Sequence, residues 1–365
     1  MTDYYSSPID SLHRELGARM VPFAGWLMPL QYPAGIIREH IHCREQASFF
    51  DVSHMLQLEI FGGQCAQSLE QFVVGDILGL DSERTRYTLM VNTSGGVVDD
   101  LMVTNLEDRF FLVANASRRM ADLDYLKKHL HPECRLCPRN DQALFAIQGP
   151  AAKVVVRDLG VEVADFAFLE SRRAALAGIE CRLWRLGYTG EDGFEISVPT
   201  EDAENLARML LEHDAVEPAG LGSRNTLRLE AGLCLYGHEL DETTTPVEAN
   251  LVWTIGRRRR QTLDFAGAQT IVDQLENGSS RALVGLRPHG NAPARDGTIV
   301  MNSSGLVVGQ VTSGGYGPSI STPIALAYVG TDYTTPGTKL GLQIRTRVVQ
   351  CDVVPIPFVP HRYNR

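Results

Sequence analysis

A glutamate and an arginine, each a few residues beyond a glycine-rich run, carry the first chemical signal in this sequence. Glu195 follows Leu186–Phe194 (LGYTGEDGF), and Arg224 follows Ala219–Ser223 (AGLGS). Gly, Asp and Thr at such points favour tight turns, so the polar groups beyond them are expected at an edge instead of inside a core. A carboxylate paired with a guanidinium reads a flat, amide-like heterocycle. Glutamate accepts from ring N–H and amino groups, and the planar arginine fork donates to ring oxygen or to a carboxylate.

A second signal is Asp99-Asp100, set between Val97-Val98 and Leu101-Met102. Successive side chains of a strand point to opposite faces, so one aspartate faces inward and the other faces solvent or a turn. A buried carboxylate without a partner is costly and implies a task. Asp100 is expected to carry function, and Asp99 to hydrogen-bond the NTSGG turn at residues 92–96. Met55, Tyr87 and Asn115 stand at the ends of neighbouring strand-like segments and can converge on one edge of the same sheet. Tyr188 and Tyr236 adjoin glycine-rich turns and suit stacking on a planar ligand. His54 and His238 have no nucleophilic partner in a recognisable motif and are expected to be structural.

Other motifs point away from metals and nucleotides. Cys134 and Cys137 form a CRLC pair with His129 and His131 upstream, but no second CxxC follows, and a polar connecting loop is expected there. GxxxxGK[ST] and HExxH are missing, and no GxGxxG follows an early strand; GLGSR at 220–224 lacks a βαβ context. The chemistry is expected to use no metal, nucleotide or protein-held redox cofactor. The run Arg257–Arg260 reads as a solvated loop or as a local anion site for a partner or a polycarboxylate tail.

The elements that must position these residues follow from pattern. Asp10 and Ser11 can cap a short helix reaching Leu16, the stretch Phe23–Pro33 reads as turn-rich, and a helix is expected over Gly35–Phe50. LQLEIFG alternates as a strand, QCAQSLEQFVV is helical, and YTLMVN, GGVVDDLMVTN and RFFLVANAS follow as strands. Ser117 can cap the next helix, with Met120, Leu123, Leu126 and Leu130 inward. A comparable α+β succession recurs from Ala143, with a helix over Ala151–Leu159, strands at CRLWRLGYTG and GFEISVP, and a helix at ENLARMLLEH. Beyond Asp264, short strands every 8–12 residues read as a β-barrel of about six strands. The fold class is therefore α+β: two pseudo-duplicated antiparallel α+β domains (residues 1–50 with 141–263, and 51–140) and a C-terminal barrel (264–365).

At 365 residues the chain is long enough for two or three domains, and 44% hydrophobic with 21% charged residues is ordinary for a globular protein. A net charge of −10 argues against non-specific nucleic-acid binding. No apolar run approaches the roughly 18 residues of a spanning helix, so no membrane partner is expected. MTDYYSSPID resembles neither a secretory nor a transit peptide, and seven scattered cysteines suit reduced thiols. A cytoplasmic location is expected, or a mitochondrial matrix location after removal of a leader.

In these residues the chain resembles the aminomethyltransferase, or T-protein, family of the glycine cleavage system. The blocks that carry the resemblance run from FAGW (Phe23–Trp26), FDVSHM (Phe50–Met55) and GGVVDDLMV (Gly95–Val103) through QGP (Gln148–Pro150) and GYTGEDGFEISVP (Gly187–Pro199). They continue with LRLEAGLCLYG (Leu227–Gly237), TPVEANLVWT (Thr245–Thr254), VTSGG (Val311–Gly315) and PFVP (Pro357–Pro360). The resemblance implies a three-domain cloverleaf around a central tetrahydrofolate pocket, with tetrahydrofolate as co-substrate and lipoylated H protein as partner. It places the catalytic aspartate on Asp100 and folate contacts on Glu195, Arg224 and Tyr363. Relatives commonly show Ala-Arg-Asp where this chain has Ser223-Arg224-Asn225, so a charge beside the arginine is gone. A folate-binding protein assisting iron–sulfur clusters and a folate-linked demethylase are the alternatives. The former carries lysine-glycine-cysteine-tyrosine where Gly232–Gly237 here contains no lysine.

Overall fold

The computed structural model describes residues 4–364. Its first α+β unit is a six-stranded sheet, in spatial order Ser171–Leu176, Ile179–Trp184, Gly193–Pro199, Gln142–Gln148, Ala47–Asp51 and Val216–Pro218. Its second is a five-stranded sheet, in order Thr85–Val91, Val97–Asn105, Arg109–Ala114, Leu56–Phe61 and Arg135–Pro138. Six strands between Arg281 and Val354 close the barrel. A small three-stranded sheet near the N-terminus completes the β-structure of the described residues.

The inner strands show how two layers share one sheet. Ala143, Phe145 and Ile147 face a core with Phe49, Phe194 and the helices Ala152–Asp158 and Ala203–Leu211. Leu144 and Ala146, on the other face, join Phe50, Trp184 and Leu186 against Phe111 and Val113 of the second unit. Trp184 Nε1 donates to Thr104 Oγ1 across that contact at 2.9 Å. The two sheets therefore confront each other through an apolar layer.

Several expectations are corrected here. Phe23–Pro33 is not a turn-rich stretch: Arg19–Phe23 and Trp26–Gln31 form a hairpin about Ala24-Gly25. The expected helix to Phe50 stops at Glu45, because Ala47–Asp51 is a fully buried strand that joins the sheet. That helix also buries its polar side. Ile37 is exposed, whereas Glu39, His40, Cys43 and Arg44 are buried. The reason lies in the next layer, the helix Leu221–Glu230. Glu39 accepts from Gly220 N (2.9 Å) and Ser223 Oγ (3.0 Å) at that helix's N-terminus, where a carboxylate is favoured. Met120 is exposed as well, and Asp122 takes the inward position. Asn92 (not Asp99) braces the NTSGG turn, its Oδ1 accepting from Ser94 N and Gly96 N. Gly96 is required because a Cβ there would stand 1.9 Å from the Glu242 carbonyl oxygen. Cys134 and Cys137 border or occupy the edge strand Arg135–Pro138 instead of a loop, and Cys134 Sγ lies 3.0 Å from Cys65 Sγ.

Arg257–Arg260 is neither a solvated loop nor an open anion site. It begins a short helix, Arg257–Thr262, and three of its guanidinium groups are committed within the chain. Arg258 pairs with Glu70 and with Asp76, Arg259 is fully buried on Glu70 and Asp264, and Arg260 donates to the Val252 and Ile255 carbonyls. Arg259→Leu takes one of two arginine partners from the buried Glu70, leaving Arg258, and should cost about 1.5–3 kcal/mol in urea unfolding. Arg257→Gln, on an exposed side chain, should stay within about 0.5 kcal/mol of wild type.

Candidate active site

Register decides which side chains meet. Leu101, Ala114 and Leu56 are paired across three strands of the second sheet. Asp100, Asn115 and Met55 are their immediate neighbours and so stand together at one end of that sheet, with Leu89 opposite Asp100. Tyr87 OH donates to Asp100 Oδ2 at 3.0 Å, and Asn115 Nδ2 donates to Asp100 Oδ1 at 2.8 Å. Asp100 shares its strand face with Met102, which packs with Met55 against the layer between the sheets.

Glu195 approaches that layer from the other side. It is paired with Ala146 and Trp184, both in the inter-sheet layer, so it points towards the second unit. The expected edge position is corrected: Gly193–Pro199 is an interior strand, and Glu195 is buried. Arg224 stands in the first turn of the helix Leu221–Glu230. Gly220 lets that helix start against the Leu30 backbone, where a Cβ would come within 2.4 Å of the Leu30 carbonyl oxygen. Arg224 Nη2 lies 4.0 Å from Glu195 Oε1, and Nη1 is buried without a hydrogen-bond partner among the described residues. Tyr188 lies under the guanidinium, 5.1 Å from ring centre to Cζ, and its hydroxyl donates to the Cys234 carbonyl.

Burial sets the electrostatics. Desolvation, then the charge of Asp99, pushes the Asp100 carboxyl up to about 7, against the hydrogen bonds from Tyr87 and Asn115. Desolvation raises Glu195, opposed by Arg224, and lowers Arg224, opposed by Glu195. The Tyr87 and Tyr188 phenols rise too, first from burial and in both cases with Asp100 among the causes, which puts these rings near one carboxylate. These residues thus present a half-satisfied donor fork, a desolvated acceptor and a carboxylate poised to exchange a proton near neutral pH.

Residues 9–259 match the GCVT N-terminal domain, and residues 281–360 match the glycine cleavage T-protein C-terminal barrel domain. The chain belongs to the glycine cleavage T-protein family of aminomethyltransferases. It is 43% identical to the mitochondrial aminomethyltransferase of Gallus gallus, over 98% of this chain and 93% of that one. The Homo sapiens counterpart is 42% identical, over 98% and 90%. The crystal structure of the glycine cleavage system aminomethyltransferase T from Bartonella henselae, 38% identical, superposes with a TM-score of 0.95 over the whole of both chains. The α+β architecture with a closed six-stranded barrel is that of the family, and the chain is an enzyme of the transferase class.

Two of the nominated residues sit further out in this aminomethyltransferase. Tyr236 carries Arg118 over its ring at 4.9 Å. Tyr363 stacks on Phe168 at 4.9 Å, and Phe168 in turn packs on the inter-sheet layer. Sequence reasoning missed Met102, on the pocket face of the Asp100 strand, and Trp253, which is 65% exposed and stacks on Tyr87 at 5.6 Å. An aromatic signal for Trp253 was present in TPVEANLVWT. His54 is buried and pushed down to about 4 by burial, with Nδ1 lacking a hydrogen-bond partner among the described residues. Asn225, beside Arg224, accepts from Arg228 Nε at 2.9 Å.

Proposed function

We propose that the cleft between the two sheets binds tetrahydrofolate and transfers to it the methylene of an aminomethyl group carried on lipoylated H protein. The observation that carries this reading is the buried Glu195–Arg224 pair, 4.0 Å apart with Arg224 Nη1 unsatisfied, on a Tyr188 ring that also feels the Asp100 charge. An orphaned buried donor beside a desolvated acceptor is the complement of a flat ring with its own acceptor and N–H edge. Tyr188, Tyr87 and Trp253 supply aromatic faces next to it, and Met55 and Met102 an adaptable apolar wall.

In the overall reaction the folate amine displaces ammonia at the methylene carbon, and 5,10-methylenetetrahydrofolate and the dihydrolipoyl arm are released. Glu195 and Arg224 hold the ring so that the attacking amine meets the carbon in near-attack geometry. Asp100, ionised, accepts the amine's proton and stabilises the positive charge that develops beside it. Asn115 and Tyr87 aim its two oxygens. Tyr363 closes the ring site from the side of Phe168, and Tyr236 lines its outer approach.

Ammonia release from aminomethylated H protein, with and without tetrahydrofolate, tests the reading. Release should be strongly accelerated by tetrahydrofolate, and equal rates would remove it. Glu195→Ala should weaken tetrahydrofolate binding by roughly 1.5–3 kcal/mol in calorimetry, the worth of a hydrogen bond to a charged acceptor. Arg224→Lys should also weaken it, because a point charge does not reproduce the planar fork. Unchanged affinity in both variants would take the pair out of the site. A cytoplasmic location belongs to the same proposal; the seven cysteines are free thiols, as a reducing compartment requires, and fractionation checks it.

A further inference from the structure

Asp122 lies in the helix Arg119–His129 with 1% of its surface exposed. It lines a small void among Leu56, Leu101, Leu112 and Leu126, and neither carboxyl oxygen meets an N–H or O–H donor among the described residues. What it does meet is the carboxyl of Asp99, itself fully buried. Two carboxylates in hydrogen-bond contact inside an apolar layer cannot both stay ionised, and one proton between them turns repulsion into a bond.

The pair is wired to the cleft. Asn115 Nδ2 donates to Asp99 Oδ1 at 2.9 Å and to Asp100 Oδ1 at 2.8 Å, while Asn115 N donates to Asp99 Oδ2 at 3.2 Å. Asp122, Asp99, Asn115 and Asp100 thus form a continuous chain from core to pocket. The other charged or titratable groups around it are Arg118, whose charge favours ionised Asp122, Glu242 paired to Arg118, Tyr236 beneath Arg118, Tyr87 on Asp100, and Tyr188 and Cys234, which also feel the Asp100 charge.

We propose that Asp122 is a positioning residue that shares one proton with Asp99, and that this pair, acting through Asn115, orients Asp100 and sets the pH at which it ionises. The inference rests on the reading of Asp100 given above. Burial and then Asp122 raise Asp99 well above the usual carboxylate range, whereas Asp122, raised by burial to about 6, is held down by its hydrogen bond with Asp99, so the shared proton rests on Asp99.

Two substitutions separate this from a packing role. In Asp122→Asn the amide donates to Asp99, which then ionises fully, so the acid limb of the kcat profile should move up. In Asp122→Leu no donor or acceptor remains, Asp99 keeps its own proton, and the limb should move down. Shifts of opposite sign, each on the order of one pH unit, are expected, with the KM for tetrahydrofolate unchanged. Limbs that stay put while both variants melt lower would overturn the proposal. Infrared difference spectra at about pH 9, where Asp100 is ionised, give a readout independent of activity. The wild type should show a protonated-carboxyl band that Asp122→Asn loses and Asp100→Asn keeps, and its absence from the wild type would also overturn the shared proton. Should Asp122→Leu fail to fold, the Asn variant and the spectra still decide. If the band behaves as stated but Asp100→Asn turns over normally, the role given to Asp100 falls while the shared proton stands.

Discussion

Asp100→Asn should leave tetrahydrofolate affinity nearly intact and lower single-turnover methylenetetrahydrofolate formation by roughly 10²–10⁴-fold, the scale of a lost acid–base group. The amide preserves shape and can still accept from Tyr87 or Asn115, so what disappears is the charge. In the wild type, activity should fall as pH drops through about 7, because protonation of Asp100 removes the acceptor for the amine's proton. The variant should lack that limb. Asp99→Asn, on the opposite face of the same strand, should remain much closer to wild type in rate. If Asp99→Asn proved the inactive one, the assignment of faces would be wrong.

The second large effect is expected far from the chemistry, at Glu230. This residue is fully buried where two helices meet the barrel. It accepts from His40 Nε2 (3.1 Å), Arg44 Nη2 (3.1 Å), Ser319 N (2.8 Å) and Ser319 Oγ (2.7 Å). Arg44 is shared with Glu191 at 2.9 Å, so the charges form one network instead of isolated pairs. Glu230→Ala leaves part of the Arg44 charge unpaired in a low-dielectric layer and removes four acceptor contacts at once, although His40 keeps Thr226 and Ser319. A loss of about 3–5 kcal/mol is expected from urea unfolding. Glu230→Gln, which keeps the shape and can still accept from Ser319, should cost less. Equal losses in the two variants would show that charge is not what matters there.

Much of this protein is legible in its sequence because local pattern and local chemistry agree. Short strands recurring every 8–12 residues between turn residues marked the barrel, and apolar segments bounded by turns marked the strands that bear Asp100 and Glu195. The alternation of a strand put Asp99 and Asp100 on opposite faces but sent the wrong one outward, because Asp99 is fully buried against Asn115 and Asp122. The family resemblance, resting on blocks spread from Phe23 to Pro360, drew Trp253 into view but gave it no task. Where the sequence misled, burial had been inverted by partners distant along the chain. Ile37 is outside and Glu39, His40 and Arg44 are inside because Gly220, Ser223, Glu191 and Glu230 wait to pair with them. Arg259 is buried for the same reason, its partner Glu70 standing nearly two hundred residues away. No periodicity records such pairings, because the energy that decides them exists only once both charges have left water together. Ala47–Asp51 became a strand because a sheet edge was available to complete it, which a helical pattern in isolation cannot register. The chain by itself determined which residue types the cleft would offer. The tertiary structure decided that Glu195 and Asp100 each border the layer between the two sheets, and that a second acid, Asp122, would be pressed against Asp99, because facing sheets are set by packing and register between segments far apart in sequence.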